Sequence, residues 1–289
     1  MQSIYGGVAF LSGSPVASPR CRGYTPPIQP QGIDTLGSLE GKVAVVTGAS
    51  RGIGEAIALA LADDGADVAV LARTESDLEK TAAEVRESGR KAQVVLCDVG
   101  SSSSVVAGFE GIWKNFGRLD ILINNAGSRQ NFKTVDELPE AEWDAVIDVN
   151  LKGTFLCSRE AAQLMMRNGG GSIVNIASIA GPVAFPRIGA YCAAKAGVVA
   201  LTKVMAAEWA EHHIRVNAVA PGWIESPMNV ELRTEPKNAD MFAHLRNQTF
   251  LKRFGRPREV ADVVTFLASP AASYIDGEII FIDGGWTAV

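Results

Sequence analysis

The sequence predicts an α/β fold, a doubly wound parallel sheet of about seven strands with helices on both faces. Three observations predict it. Short apolar runs alternate with helix-length stretches from Gly41 to the end of the chain. A glycine-rich turn joins the first apolar run to the first helix, and no linker interrupts the pattern after residue 38. Runs that are apolar throughout belong in strands buried on both faces, as in parallel sheets of right-handed β-α-β units.

The elements follow in order. Residues 42–47 form an apolar strand, and Gly48 to Gly54 then opens an Ala/Leu-rich helix reaching about Asp64. Residues 67–72 form the second strand. Thr74-x-x-Asp77 has the spacing of a capping box before a helix that ends near Gly89. Residues 92–97 form a strand, 102–116 a helix and 119–123 the fourth strand. A long helical stretch runs to about Arg167, followed by a strand over 172–176. The helix of Tyr191 extends to about Glu211 and a sixth strand covers 214–220. Residues 223–252 are polar without a strand pattern; a last helix begins near Pro257 and a seventh strand spans 278–282.

Residues 1–38 differ from the rest. They are rich in Ser, Gly and Pro, carry Arg20 and Arg22, and have no acid before Asp34. Such a segment has too little periodic apolar content to offset its ordering entropy, so a flexible arm is expected, followed by one domain over 39–289. The scarcity of acids also suits organelle targeting, although no amphipathic Arg-rich helix is evident.

Composition narrows the function. The chain is 47% hydrophobic and 20% charged, ordinary for a globular chain with a sizeable core. A formal net charge of -5 argues against nucleic acid as the main partner. No apolar run is expected to reach the ~18 residues of a membrane helix. The cysteines Cys21, Cys97, Cys157 and Cys192 lie far apart, so neither a disulfide framework nor a metal site is signalled and a reducing, cytoplasmic setting is expected.

The chemistry points to Ser178–Lys195. Tyr191 and Lys195 are four apart and share one face of a helix. A phenol titrates near pH ~10, so it serves as acid or base at neutrality only if its anion is stabilised. The Lys195 ammonium is expected to do this by lowering the phenol's pKa, with the Ser178 hydroxyl sharing the reacting oxygen. At Gly48 the spacing G-x-x-x-G-x-G allows positive φ and lets backbone N–H groups at a helix start approach a pyrophosphate.

Taken together, these motifs strongly resemble the short-chain dehydrogenase/reductase family. Thr47 to Gly54 matches its T-G-x-x-x-G-x-G motif, and Asn124-Asn125-Ala126-Gly127 its N-N-A-G motif. Asn150, Ser178, Tyr191 and Lys195 match its catalytic tetrad, Pro221-Gly222 its P-G motif, and Asp283-Gly284-Gly285 its C-terminal ending. The resemblance covers about residues 39–289 and implies a Rossmann-type fold with hydride transfer between a nicotinamide cofactor and a C=O or CH–OH group. It implies that Tyr191 handles the proton and Ser178 holds the substrate oxygen. Lys195 would hold the nicotinamide ribose, and Asn150 would position a water that relays protons to Lys195. Cofactor contacts are implied for Gly48, Ser50, Arg51, Ile53, Gly54, Arg73, Asp98, Val99, Asn125, Ala126, Gly127, Tyr191, Lys195, Pro221, Gly222, Ile224 and Ser226. Ser226 stands where the family has threonine.

The second strand ends in Ala72-Arg73 rather than in an acid that would bind a ribose diol, and Arg51 and Arg73 suit a 2′-phosphate. NADP(H) is therefore expected over NAD(H). The substrate, a small carbonyl or alcohol, is expected among Ser128, Arg129, Ile179, Ala180, Phe185, Arg187 and Trp223. A reductase of ketones or 3-oxoacyl groups covers this mixture best. A sugar-acid (gluconate-type) dehydrogenase is the alternative, since Arg187 and the Asp-Gly-Gly-Trp286 ending resemble such members. A non-catalytic dinucleotide-sensing scaffold is the third reading, disfavoured by the complete tetrad. The family's habit of tetramer formation through the helices of Asn150 and Tyr191 makes a homo-oligomer the expected state.

Overall fold

The computed structural model describes residues 38–288, so the arm expected over residues 1–38 lies, apart from Ser38, outside the described residues. The strands are β1 (Val43–Thr47), β2 (Asp67–Ala72), β3 (Ala92–Leu96), β4 (Ile121–Asn124), β5 (Gly171–Ile176), β6 (Ile214–Pro221) and β7 (Ile279–Ile282). They form one parallel sheet in the order β3-β2-β1-β4-β5-β6-β7. The helices are α1 (Gly52–Asp63), α2 (Glu75–Glu87), α3 (Ser102–Phe116), α4 (Glu140–Ile147), α5 (Gly153–Arg167), α6 (Gly189–Trp209), α7 (Val230–Thr234), α8 (Ala239–Gln248) and α9 (Pro257–Ala268).

Alternation along the strands divides the core into two layers. On one face Val46, Val68, Val70 and Val174 pack under Ile57 and Leu61 of α1, Leu78 of α2 and Val264 of α9. On the other, Val45, Leu71, Leu122 and Ile173 meet Phe109 of α3, Leu156 and Met165 of α5 and Met205 of α6. Burial on both faces explains the unbroken apolar runs. β1 has β2 on one side and β4 on the other, so the winding reverses there and leaves a crevice at the carboxyl ends of the strands.

Four local features depart from the sequence expectation. The long helical stretch is broken by a π-helical segment over Asp148–Lys152 between α4 and α5. Residues 223–252 are not loose but carry α7 and α8 with short 3-10 turns. Thr74 stands at the N-cap of α2 without a side-chain cap hydrogen bond. Asp77 occupies N3, one methylene shorter than the Glu that closes such a box. Finally, α6 and its extension to His212 are long and apolar enough to cross a membrane by length and composition, with mean hydropathy 1.3. That corrects the expectation of no such stretch: Tyr191, Lys195 and Lys203 interrupt the run by eye but not on average. Ala190, Ala194, Lys195, Val198 and Met205 are buried within the fold, which accounts for the apolar character.

Candidate active site

The carboxyl edge of the sheet gathers the predicted residues. Thr47 ends β1, and its hydroxyl accepts from the backbone N–H of Asn125 and of Ala126, both at 3.0 Å. The Asn125 carboxamide donates to the Thr47 and Gly48 carbonyls at 3.0 Å each. Asn125 therefore ties the N-N-A-G loop to the glycine turn with its side chain. Gly48 and Gly52 have φ of +63° and +64°. A Cβ at Gly48 would lie 2.8 Å from the Ala126 Cα, and one at Gly54 would collide with the Gly48 carbonyl. Both glycines are thus dictated by close backbone approach.

This turn fits a dinucleotide pyrophosphate. Arg51 is the N-cap of α1 and makes no side-chain cap, so the helix start depends on other partners for its N–H groups. Glu55 takes one of them, the Gly52 N–H at 3.3 Å. Ala49 N–H donates to the Leu71 carbonyl at 3.2 Å, which holds the turn beside the end of β2 and brings exposed Arg51 and Arg73 to the same edge. Ser50 lies in the turn and Ile53 in the first turn of α1. Asp98 is exposed, its carboxylate accepting from Gly100 N–H at 3.0 Å, while Val99 is buried with its side chain packed where a Gly153 Cβ would fall. The P-G segment closes the far side. Gly222 N–H donates to Ile282 at 3.0 Å, Pro221 ends β6, and Ile224 is buried. A Cβ on Gly52 would sit 3.8 Å from the Ser226 Cβ. At the 3-10 turn Pro227–Asn229 the Ser226 backbone N–H donates to Asn229 Oδ1 at 3.1 Å, and its side chain makes no cap hydrogen bond, so the hydroxyl can be donated elsewhere.

Next to this turn stands the tetrad. Ser178 follows β5, and its hydroxyl accepts from Ala180 N–H at 3.1 Å and lies near enough to the Tyr191 phenol to lower its pKa. Lys195 is 4% exposed; its Nζ lies 5.7 Å from the Tyr191 ring centroid and donates to the Ile176 carbonyl at 2.7 Å. Burial pulls the Lys195 pKa down to about 8. Asn150, in the π-helical segment, is fully buried and donates to the Val146 carbonyl at 2.9 Å and to Ser128 O and Oγ at 3.0 and 3.2 Å. Its Oδ1 has no partner. A Cβ at Gly127 would lie 3.0 Å from that Oδ1 and 3.9 Å from Lys195 Nζ, so the two atoms flank one small space. Such a space with an orphaned acceptor and an ammonium suits a bridging water.

One electrostatic expectation is corrected. The Tyr191 pKa is raised, not lowered: burial pushes it up and the neighbouring Ser178 hydroxyl only partly opposes this. The Lys195 ammonium lies over the ring and spends a proton on Ile176, rather than meeting the phenol oxygen.

The expected substrate residues split into two groups. Phe185 and Trp223 meet edge to face at 6.4 Å, and Phe185 stacks on Trp286 at 5.2 Å, forming an aromatic wall. Trp286 is held by Gln248 of α8, which accepts from its indole N–H at 3.2 Å. Ile179 and Ala180 are buried behind Ser178. Arg187 instead donates to the Phe132 carbonyl at 3.3 Å at the exposed rim, and Arg129 is exposed in the same loop. Gln130 belongs to none of the sequence motifs, yet it is 2% exposed and accepts from Ala190 N–H at 2.9 Å. Only its place three residues after Gly127 could have drawn attention. Among the described residues no group of three or more His, Cys, Asp or Glu side chains could hold a metal ion.

A parallel doubly wound sheet with a dinucleotide turn and a Ser/Tyr/Lys/Asn cluster at its switch point defines an oxidoreductase class. Comparison with known proteins narrows it. A family model described as "Enoyl-(Acyl carrier protein) reductase" matches residues 48–287. A 3-oxoacyl-(acyl-carrier-protein) reductase of Staphylococcus aureus is 43% identical over 246 residues, 84% of this chain and 97% of that one. Two solved structures share the fold. A putative short-chain alcohol dehydrogenase of Sinorhizobium meliloti has a TM-score of 0.84 at 39% identity, covering 88% of this chain and 99% of that one. A putative 2-deoxy-D-gluconate 3-dehydrogenase of Agrobacterium tumefaciens, with bound NADP, has a TM-score of 0.78 at 37% identity, covering 87% and 98%. The chain belongs to the short-chain dehydrogenase/reductase family and is an oxidoreductase acting on CH–OH and C=O groups.

Proposed function

We propose that this enzyme reduces a ketone of the 3-oxoacyl type to a secondary alcohol with NADP(H), with Tyr191 as the proton donor. The observation that carries the reading is the grouping of Ser178, Tyr191 and buried Lys195, with Lys195 Nζ 5.7 Å from the Tyr191 ring centroid. The cofactor, when bound, supplies the hydride. Tyr191 donates its phenol proton to the alkoxide oxygen as charge develops there, and the raised phenol pKa keeps that proton in place at neutral pH. Ser178 orients the same oxygen and shares its charge. Lys195 offers ribose hydroxyls its two remaining donors, and its position across from Asn150 Oδ1 suits a water that returns the proton. Gly48, Ser50, Ile53, Gly54, Ala126 and Gly127 would line the dinucleotide, with Ile224 and Ser226 at the carboxamide end.

Arg51 and Arg73 at one edge, with no acid ending β2, support NADP(H). The aromatic wall of Phe185, Trp223 and Trp286 favours an apolar acyl group over a sugar acid. The sugar-acid reading keeps two supports: Arg187, which gives one N–H to the Phe132 carbonyl and retains its other donors, and the similarity to the gluconate-type structure. A cytoplasmic setting is part of the proposal, in keeping with Cys97, Cys157 and Cys192 all being free thiols.

A second copy of this chain is the proposed partner, up to a tetramer. Ala193, Ala196 and Ala200 are exposed on α6, alongside Val204 at 50% and Phe155 of α5 at 44% exposure. With Leu151 and Leu201, Ala200, Val204 and Phe155 border an apolar groove between the two helices. A spectrophotometric panel tests the substrate reading: NADPH and NADH against 3-oxoacyl thioesters, keto sugar acids and simple ketones. Fastest turnover on the thioesters with NADPH is expected, and preference for a keto sugar acid overturns it.

A further inference from the structure

We infer that Gln130 is a positioning residue for Tyr191, a cap supplied from outside the helix that carries the tyrosine. The inference rests on the reading of Tyr191 as proton donor. α6 starts without a local cap: Ile188 occupies the N-cap and makes no side-chain cap hydrogen bond. An apolar side chain cannot accept from the free N–H groups of a first turn. Gln130 does so instead, its Oε1 taking Ala190 N–H at 2.9 Å and Tyr191 N–H at 3.4 Å. A backbone N–H only donates, so the carboxamide oxygen must face these two groups.

The surroundings make this contact more than a surface cap. Gln130 is 2% exposed, and a buried acceptor with two donors holds its geometry more firmly than a solvated one. Its loop is fastened to the approach of α6 by Lys133 N–H to the Arg187 carbonyl at 3.0 Å. At its other end Ser128 accepts from Asn150. One short loop therefore links two members of the tetrad, and Gln130 is its contact with the Tyr191 backbone itself. The Gln130 Nε2 has no partner, so only the oxygen end of the carboxamide is used.

Two variants separate positioning from bulk stability. Gln130→Met keeps side-chain length and removes the acceptor; Gln130→Glu keeps the acceptor. Each is assayed with a 3-oxobutanoate ester and NADPH, with turnover expressed per NADPH-binding site and Tm measured alongside. Gln130→Met is expected to lower kcat by about 10- to 100-fold, because misplacing a reacting group by ~1 Å costs up to ~100-fold. KM for NADPH should stay unchanged, and Gln130→Glu should restore most of the kcat. Wild-type kcat in Gln130→Met, or a loss that vanishes when turnover is expressed per binding site, overturns the inference. An equal kcat loss in folded Gln130→Glu also overturns it. Should either variant fail to fold, Gln130→Ala supplies the kcat comparison. An active Tyr191→Phe enzyme would defeat the underlying reading first; an inactive one beside an unaffected Gln130→Met defeats only this inference.

Discussion

Lys195 shows how burial sets the chemistry of a single residue here. Its folded pKa of about 8 lies below the ordinary 10.5, because burial disfavours the ammonium. Between those values the unfolded chain holds a proton that the folded chain has released, so stability rises with pH through the window and is lowest beneath it. The full window corresponds to roughly 3 kcal/mol. Without added nucleotide, the Tm of the wild type relative to Lys195→Met should climb between about pH 8 and pH 10. The difference isolates Lys195 from Cys157 and Tyr191, whose pKa values burial raises and which act in the opposite sense at high pH. A difference that is flat with pH contradicts a deprotonating Lys195. That Asn150, Ser178, Tyr191 and Lys195 are candidates for one site was legible in the sequence because spacing and residue type carry the motif. The raised phenol pKa was not, since it depends on how much water reaches Tyr191 and where the Lys195 ammonium points. Gln130 was invisible for a related reason: its partners lie 60 and 61 positions away.

The elements that place these residues follow elementary patterns. Apolar runs became strands within one or two residues of expectation, as for residues 67–72, which form β2 as read. Where helix and turn compete, the sequence was less informative. The π-helical segment that buries Asn150 inserts into an otherwise continuous helical pattern, and such bulges carry no composition signal of their own. In α7 and α8 the polar composition hid helices that pack Phe242 on Phe254. The junction of β2 with the α1 turn holds the cofactor prediction. Arg51→Ala and Arg73→Ala should each lower kcat/KM with NADPH by about 10- to 100-fold, the worth of a charge-assisted phosphate contact, and leave NADH nearly unchanged. Equal loss with both cofactors would assign the arginines to the fold instead. The Asp283 carboxylate organises the final turn, accepting from Thr287 N–H at 2.8 Å and from its hydroxyl at 2.6 Å, so that Trp286 reaches Phe185.

At the scale of the whole molecule, the parallel sheet sets the site at one edge and leaves the α5/α6 face apolar toward solvent. On that face Ala193, Ala196 and Ala200 of α6 are all exposed. Light scattering should give a homo-oligomer for the wild type, and Val204→Glu should shift it toward smaller species by burying a charge at the contact. A monomeric wild type would remove α6 from the interface account. The central claim concerns hydride transfer at Tyr191, and one comparison meets it most directly: NADPH oxidation by wild type and Tyr191→Phe with a 3-oxoacyl thioester, alongside NADPH binding by each. The account predicts turnover in the wild type and essentially none in Tyr191→Phe, with cofactor binding retained in both. Near wild-type turnover in Tyr191→Phe would contradict it.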